Sequence, residues 1–400
     1  MLGEILVALL LGVLSGIFTG ITPGIHVNLV SVLVLTFSPF LLRITSPLVL
    51  GVYIISLAIT HTFLDVLPSI YLGAPDESQA LGALPGHRML IQGQGHQAVV
   101  YTTLGSLGSL MLSTLLFPLF IVAMMAIAPL LEGVIGYLLI VLVVYMIARE
   151  KQKWLKSLVL FLIAGCLGLL VFAIPNLKQP LFPLLSGLFG FSLLLMSLLQ
   201  KSKIPKQDFS APLAISKKNI VKSVGAASGM GFIAAFLPGF GSSQAATIAT
   251  TVVGDIGDEG FLSLVGGINT ANMLISIATA YALDKSRNGA IVVVNELMQI
   301  DFQAMLVFIA VSLVVGGVAT IITFRLSKIF ATLIVKVNYQ KLVWGIIVFI
   351  TLLTFYFDGV LGLVILMTAT AIGLVSSVWN IGKSHLMGCL IIPVILYFVL

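Results

Sequence analysis

Apolar stretches follow one another along almost the whole chain, near 3–21, 25–42, 47–71, 98–126, 129–148, 157–174, 181–199, 220–236, 241–254, 261–283, 303–327, 341–357, 359–378 and 384–400. Short polar or Gly/Pro-rich intervals part them. Most are long enough to cross roughly 30 Å of hydrocarbon as helices, the form in which a single segment satisfies its own backbone inside lipid. The pattern predicts an all-α polytopic membrane protein of about 12–14 membrane segments, discontinuous or re-entrant helices among them. Two places break the rhythm. Segments 3–21 and 25–42 are separated by little more than Thr22-Pro23-Gly24, too few residues for a full loop, which points to a tight hairpin or one discontinuous helix. Segment 241–254 is too short and too polar for an ordinary span.

Composition sharpens this picture. With 59% hydrophobic and 8% charged residues and a mean hydropathy of +1.19, the chain leaves no room for a large soluble domain, in which about 25% of residues are charged. The first twenty residues carry Glu4 in place of a basic leader region, so they read as a permanent first helix that is not cleaved. Cys166 and Cys389 lie in apolar runs without metal-ligand spacing and read as small core residues, so no metal site is expected. The net charge of +6 suggests no nucleic acid, because the lysines and arginines gather in short loops as the positive-inside rule expects. Interval 200–223 holds six lysines against one aspartate, and a second basic loop lies at 148–156. Two apolar runs separate them, an even number of crossings, so both face the cytoplasm and the intervening Pro175–Pro180 turn faces outward. A multi-pass protein of the cell membrane is expected.

The two irregular places correspond. Placing Pro23 on Pro238, an offset of 215, also puts Gly16 on Gly231 and Gly24 on Gly239. The basic interval lies between the two copies. Secondary transporters are often built from two repeats whose discontinuous helices meet near the bilayer midplane. The expected organisation is a first repeat at 1–200, a cytoplasmic linker at 201–214 and a second, inverted repeat at 215–400.

At the first break Thr22 is suited to cap a new helix and Pro23 to occupy its first turn, while Gly24 permits close backbone approach. At the second, Pro238, Gly239 and Gly241 make the break, and Ser242, Ser243 and Thr247 follow with short polar side chains. Such helix starts bind anions without a buried lysine; either break alone could equally be a packing kink. Asn28 stands where it can read a ligand, whereas His26 falls opposite Gly241 in the second copy and carries less weight. The stretch 71–99 combines Gly73, Pro75 and Gly/Pro spacing with Asp76, Glu77, His87, Arg88 and His96, as in a re-entrant hairpin or an exposed loop. Asn269, Thr270 and Asn272 interrupt a membrane-like run and suit either ligand contacts or interhelical hydrogen bonds. His61 and Asp65, four apart on one helix face, are candidates for a proton relay or for a pair that orders the bundle. Asp284 marks a helix end, and Asp358 follows a span without an assigned partner.

These stretches resemble a known family. "GIFTGITPGIH", "GAPDESQALGALPGHRMLIQGQGHQAV", "LPGFGSSQAATIA" and "NTANM" are similar, in order, to the Gly/Pro and asparagine-rich motifs of the TctA family, the large permease subunit of tripartite tricarboxylate transporters. The resemblance implies a permease that imports carboxylates such as citrate on an ion gradient, alongside a small membrane subunit and an extracytoplasmic solute-binding protein. It implies site-forming roles for Pro23, Gly24, Gly73, Pro75, Pro238, Gly239, Gly241, Asn269 and Asn272. The chain departs from the pattern where Asp76 and Glu77 follow Gly73-x-Pro75 and where no acidic residue precedes the asparagines.

The expected function is a secondary transporter of a small organic anion, a di- or tricarboxylate, held between the two broken-helix starts with Asn28, Ser242, Ser243, Asn269 and Asn272 as hydrogen-bond donors. No Walker A motif is present, so coupling is assigned to H⁺ or Na⁺ through Asp76, Glu77, His61 or Asp65, with no other cofactor. A homodimer is left open. The alternative is a carrier of lipid-linked phosphate, favoured if a basic side chain such as Arg88 reaches the site. An intramembrane enzyme has no HExxH or GxSxG motif to support it.

Overall fold

The computed structural model describes residues 2–400 except 24, 74–76, 132, 176, 200–203, 210–211, 238–240, 285, 287 and 337–338. No strand occurs among the described residues. Up to the basic interval the helices are α1 (Leu2–Ile21), α2 (Val27–Leu41), α3 (Pro47–Leu64), α4 (Ala83–Ile91), α5 (Gly95–Leu115), α6 (Phe117–Leu131), α7 (Ile135–Arg149), α8 (Trp154–Ala173), α9 (Leu181–Leu185) and α10 (Ser192–Leu199). Beyond it run α11 (Lys217–Phe236), α12 (Ser242–Val253), α13 (Gly257–Leu283), α14 (Gly289–Leu297), α15 (Phe302–Lys336), α16 (Tyr339–Val378) and α17 (Gly388–Val399). Among the described residues, 7 helices are long and apolar enough to cross a membrane, and shorter apolar helices accompany them. The protein is an all-α, multi-pass membrane protein.

Local chemistry sets most helix boundaries. The stretch expected as one span at 98–126 divides at Leu116, where Pro118 suits the first turn of α6. The spans expected at 341–357 and 359–378, numbered together as α16, are two helices that meet at a kink at Gly359 (φ 60°, ψ −150°), a conformation closed to other residues without strain. Asp358 beside the kink has a partner after all. Its Oδ1 accepts the backbone N–H groups of Lys178 (2.7 Å) and Gln179 (3.0 Å), which pins the Pro175–Pro180 turn. Asp284 ends α13 in the left-handed conformation, as a helix-end residue should. Cys389 is buried, but Cys166 is exposed on α8, where the sequence suggested a core position.

Packing relies on absent side chains. Lipid gives helices no hydrophobic reason to associate, so close backbone approach through small residues holds them together. Gly12, Gly16 and Gly20 form a stripe on α1: a Cβ on Gly16 would stand 2.5 Å from Thr60 Cβ, and one on Gly20 2.7 Å from Leu64 Cβ, both on α3. On α11, Gly231 meets Ala271 of α13 in the same way, at 2.5 Å. Gly105 of α5 lies directly on the backbone of Ser263 in α13.

Helices from before and after the basic interval therefore interleave. The larger core includes Ile55, Tyr101, Ile277 and Phe308, drawn from α3, α5, α13 and α15. A smaller one contains Leu160, Leu188, Ala369 and Ile391, drawn from α8, the α9–α10 junction, α16 and α17. The basic interval is tied to the first of these. Asp208 N–H donates to Gly93 C=O (2.9 Å), Gln207 Oε1 accepts from Gly95 N–H (2.8 Å) and Tyr101 Oη accepts from Ala214 N–H (2.8 Å). At that end Asn219 Nδ2 donates to Ile256 C=O (3.3 Å) and Lys153 Nζ to Asn380 C=O (2.8 Å). Exposed Leu10, Leu14, Val141, Ile321 and Tyr356 present the apolar exterior that lipid requires.

Candidate functional site

The first break is built differently from the capping that its sequence suggests. Thr22 N–H donates to Phe18 C=O (3.2 Å), so Thr22 still belongs to the closing turn of α1. Pro23, which has no N–H to extend that ladder, follows it. The cap of α2 is His26, extended at φ −86° and ψ 154°, whose Nδ1 accepts the N–H of Asn28 at 3.1 Å. An imidazole nitrogen thus does the work assigned to a threonine hydroxyl. At the second break α11 ends at Phe236, Leu237 turns to an extended conformation (φ −79°, ψ 123°), and α12 opens with Ala245 N–H donating to Gly241 C=O (3.1 Å). Gly24, Pro75, Asp76, Pro238, Gly239 and the side chain of Glu77 lie outside the described residues.

Both helix starts line one cavity of about 340 Å³, His26 and Asn28 from the first and Gly241 and Ser242 from the second. Asn269 and Asn272, on one face of α13, line it too, and Phe172 of α8, Leu181 of α9 and Leu390 of α17 supply an apolar wall. Asn272 Nδ2 points toward Ser242 Oγ at 3.4 Å. Of the residues singled out in the sequence, the fold gathers Asn28, Gly241, Ser242, Asn269 and Asn272 here; among the described residues, Thr22, Pro23, Gly73 and Ser243 do not line the cavity. Gly73 is left-handed (φ 63°) and closes the π-helical turn Pro68–Leu72. Ser243 is fully buried within α12 and its C=O accepts from Thr247 Oγ1 (3.0 Å).

A third helix start, missed in the sequence, also opens on this cavity. Asn288 caps α14 by accepting from Ala290 N–H at 3.0 Å, and both Asn288 and Gly289 line the space. A Cβ on Gly289 would lie 2.7 Å from Asn28 Cγ, so glycine lets the two asparagine-bearing starts approach. The Asn-Gly pair after a charged helix end was the available signal.

Beside the cavity lies a buried carboxylate. Asp65, 2% exposed, ends α3. It accepts hydrogen bonds from Asn269 Nδ2 (2.7 Å), Ser78 Oγ (2.9 Å) and Gln79 Nε2 (3.0 Å). Asn269 and Ser78 also line the cavity, so Asp65 is one side chain removed from its space. Two segments, one of them 204 residues away in sequence, meet on this one group. His61, 4% exposed, has its Nδ1 3.1 Å from Thr19 Oγ1, and its ring meets that of His26 edge-on at 5.1 Å between centroids. Of the two members of the expected relay, His61 thus meets Thr19 and His26 beside the first break, and Asp65 meets Ser78 and Gln79 as well as Asn269 of α13. Arg88 lies elsewhere, paired with Asp258 at 3.2 Å.

A polytopic helical bundle whose interrupted helices open onto one cavity lined in part by asparagines suits a membrane permease. The chain belongs to the tripartite tricarboxylate transporter TctA family, whose profile matches residues 6–388. It is 30% identical over 358 residues, 86% of this chain and 88% of the other, to a protein of Methanocaldococcus jannaschii named as uncharacterized. No solved structure matches the chain. Membership makes the protein a permease of the tricarboxylate transporter class, a transporter and not an enzyme. The tripartite systems for which the family is named fit a small membrane subunit and a solute-binding protein as companions.

Proposed function

We propose that the cavity between the α2 and α12 starts holds a di- or tricarboxylate, and that its transport is coupled to H⁺ or Na⁺ at Asp65. The observation that carries this reading is the lining itself: both interrupted helices open onto one space, with Asn28, Ser242, Asn269 and Asn272 around it. Helix starts supply free N–H groups and the positive end of the dipole, and amide and hydroxyl groups add donors without a fixed counter-charge. No lysine or arginine is among the described residues of this lining. A carboxylate is held by many modest contacts there and remains free to leave. A volume of about 340 Å³ falls within the usual range for small-ligand pockets.

Asp65 suits the coupling role because Asn269 touches both it and the cavity. Neutralising the carboxylate with a proton or sodium ion would loosen its grip on Asn269, Ser78 and Gln79 together, linking ion occupancy to the shape of the site. The similar close packing of Gly16 on α3 and Gly231 on α13 fits a relation between the two halves. Arg88, the basic side chain that would have favoured the lipid-linked phosphate alternative, lines a different cavity.

The test is uptake of radiolabelled citrate and succinate by proteoliposomes holding the full chain, under imposed proton or sodium gradients, with and without the companion subunits. Accumulation above the gradient-free control is expected. Failure of every di- and tricarboxylate, with movement of a polyprenyl phosphate instead, would overturn the proposal.

A further inference from the structure

A second cavity, of about 520 Å³, has a different chemistry from the first. Arg88, Arg149, Lys383 and His385 line it, together with the carboxylates of Glu150 and Asp258. Each carboxylate is already engaged: Asp258 Oδ2 by Arg88 Nη1 at 3.2 Å, and Glu150 Oε1 by His385 Nε2 at 3.1 Å. Lys383 Nζ donates to the uncharged Ser192 Oγ (3.0 Å) and Phe189 C=O (3.4 Å), so its charge is not spent on an acid there. Among the described residues, three lysine and arginine side chains face two acids, so this lining is net positive before His385 is counted.

Its position relates it to the first cavity. Helix α12 begins at the first with Ser242 and passes the second at Thr247 and Thr250, five and eight residues or about 7.5 and 12 Å further on. The segment after residue 76 does the same over a shorter distance: Ser78 lines the first cavity, Ala80 and Leu81 the second. Between them only Gln79 intervenes, buried and bonded to Asp65 at 3.0 Å. Helix α8 sets the direction. Arg149 and Glu150 precede its start at Trp154, beside the basic loop, whereas Phe172 at the first cavity lies eighteen residues later, about 27 Å along the axis. The linings of the two cavities thus lie at different levels along the bundle, the second nearer the basic loop, with the Ser78–Ala80 segment as the partition.

We propose that the second cavity is a carboxylate-binding vestibule on the cytoplasmic side, which receives the anion when the partition opens. This rests on the reading of the first cavity as a carboxylate site. Arg149 and Lys383 supply its attraction; Arg88 is held by Asp258 across the seam between α4 and α13. Fixed positive charge in a cleft concentrates anions and binds them weakly and in a salt-dependent way, unlike the uncharged donors of the first cavity. The chain therefore carries two anion sites in series.

Equilibrium binding of radiolabelled citrate to the purified full-length protein in nanodiscs tests this. Two components are expected, the weaker one lost on raising salt. The double variant Arg149→Gln, Lys383→Gln should weaken that component about tenfold or more and leave the tighter one intact. The charge-keeping pair Arg149→Lys, Lys383→Arg should retain both, which separates loss of charge from loss of fold. Ser242→Ala with Asn272→Ala should remove the tighter component only. A single component, abolished by the Ser242 and Asn272 changes and indifferent to Arg149 and Lys383, overturns the vestibule. A single component with the opposite sensitivity keeps the vestibule and removes the first-cavity site instead. No citrate binding at all contradicts both.

Discussion

Replacing Asp65 by Asn separates the structural from the coupling role of the buried carboxylate. Among the hydrogen bonds its side chain accepts are three from Ser78, Gln79 and Asn269, at 2.7–3.0 Å. Within membrane bundles such bonds contribute about 0.6 kcal/mol each on average, so Asp65→Ala, which removes all three, should cost roughly 2 kcal/mol. Asp65→Asn is gentler. Its amide oxygen can keep the two bonds made to Oδ2, and a rotated Gln79 amide can accept from the new NH₂ group. It also escapes the cost of burying a charge. The expected change in stability is within about 1 kcal/mol. Coupling should nevertheless fail, because the amide cannot exchange a proton or neutralise sodium. Thermal unfolding in detergent, read beside citrate uptake with and without an imposed gradient, gives both numbers. Near-wild-type melting with uptake that no longer responds to the gradient is expected. If Asp65→Asn still accumulates substrate on the gradient as the wild type does, Asp65 is not the coupling group.

Two further predictions concern the scaffold. Gly16→Val and Gly231→Val should each cost about 1–3 kcal/mol or more, because the nearest atoms are Cβ groups fixed to the facing helices at 2.5 Å; Gly225→Ala, with nothing within 4 Å, should be neutral or slightly stabilising in the same melting assay. Asp358→Ala should free the Lys178 and Gln179 amides it now holds and speed tryptic cleavage after Lys178, whereas an unchanged cleavage rate would mean that the turn is fixed by other contacts.

Much of this architecture can be read from the chain because lipid makes hydrophobicity do nearly all the signalling. The apolar runs became helices, and the interruption at Thr22-Pro23 and the short, polar segment at 241–254 became two helix starts facing one space. Asn28, Ser242, Asn269 and Asn272 line that space, and they stand out in the chain because polar side chains in membrane-like runs need a reason to be there. Other parts were not. His26 was discounted by comparison with Gly241, yet it caps α2, since capping depends on where the chain turns and not on repeat symmetry. The partners of Asp65 come from Ser78, Gln79 and Asn269, separations of 13, 14 and 204 residues, and no local pattern announces contacts of that kind. The second cavity was hidden for the same reason: Arg88, Arg149 and Lys383 meet only when α4, α7 and the turn before α17 converge. The basic interval looked like a plain linker, but Gln207 and Asp208 are fastened to the α4–α5 corner.

The central claim is that the two interrupted helices share one anion. Cysteines placed at Asn28 and, separately, at Ser242, in a chain whose exposed Cys166 is changed to Ser, can be labelled with a charged methanethiosulfonate reagent in the presence of rising citrate. Citrate should slow labelling at both positions with the same half-saturating concentration. Protection at one position alone, or at neither, would contradict a shared site.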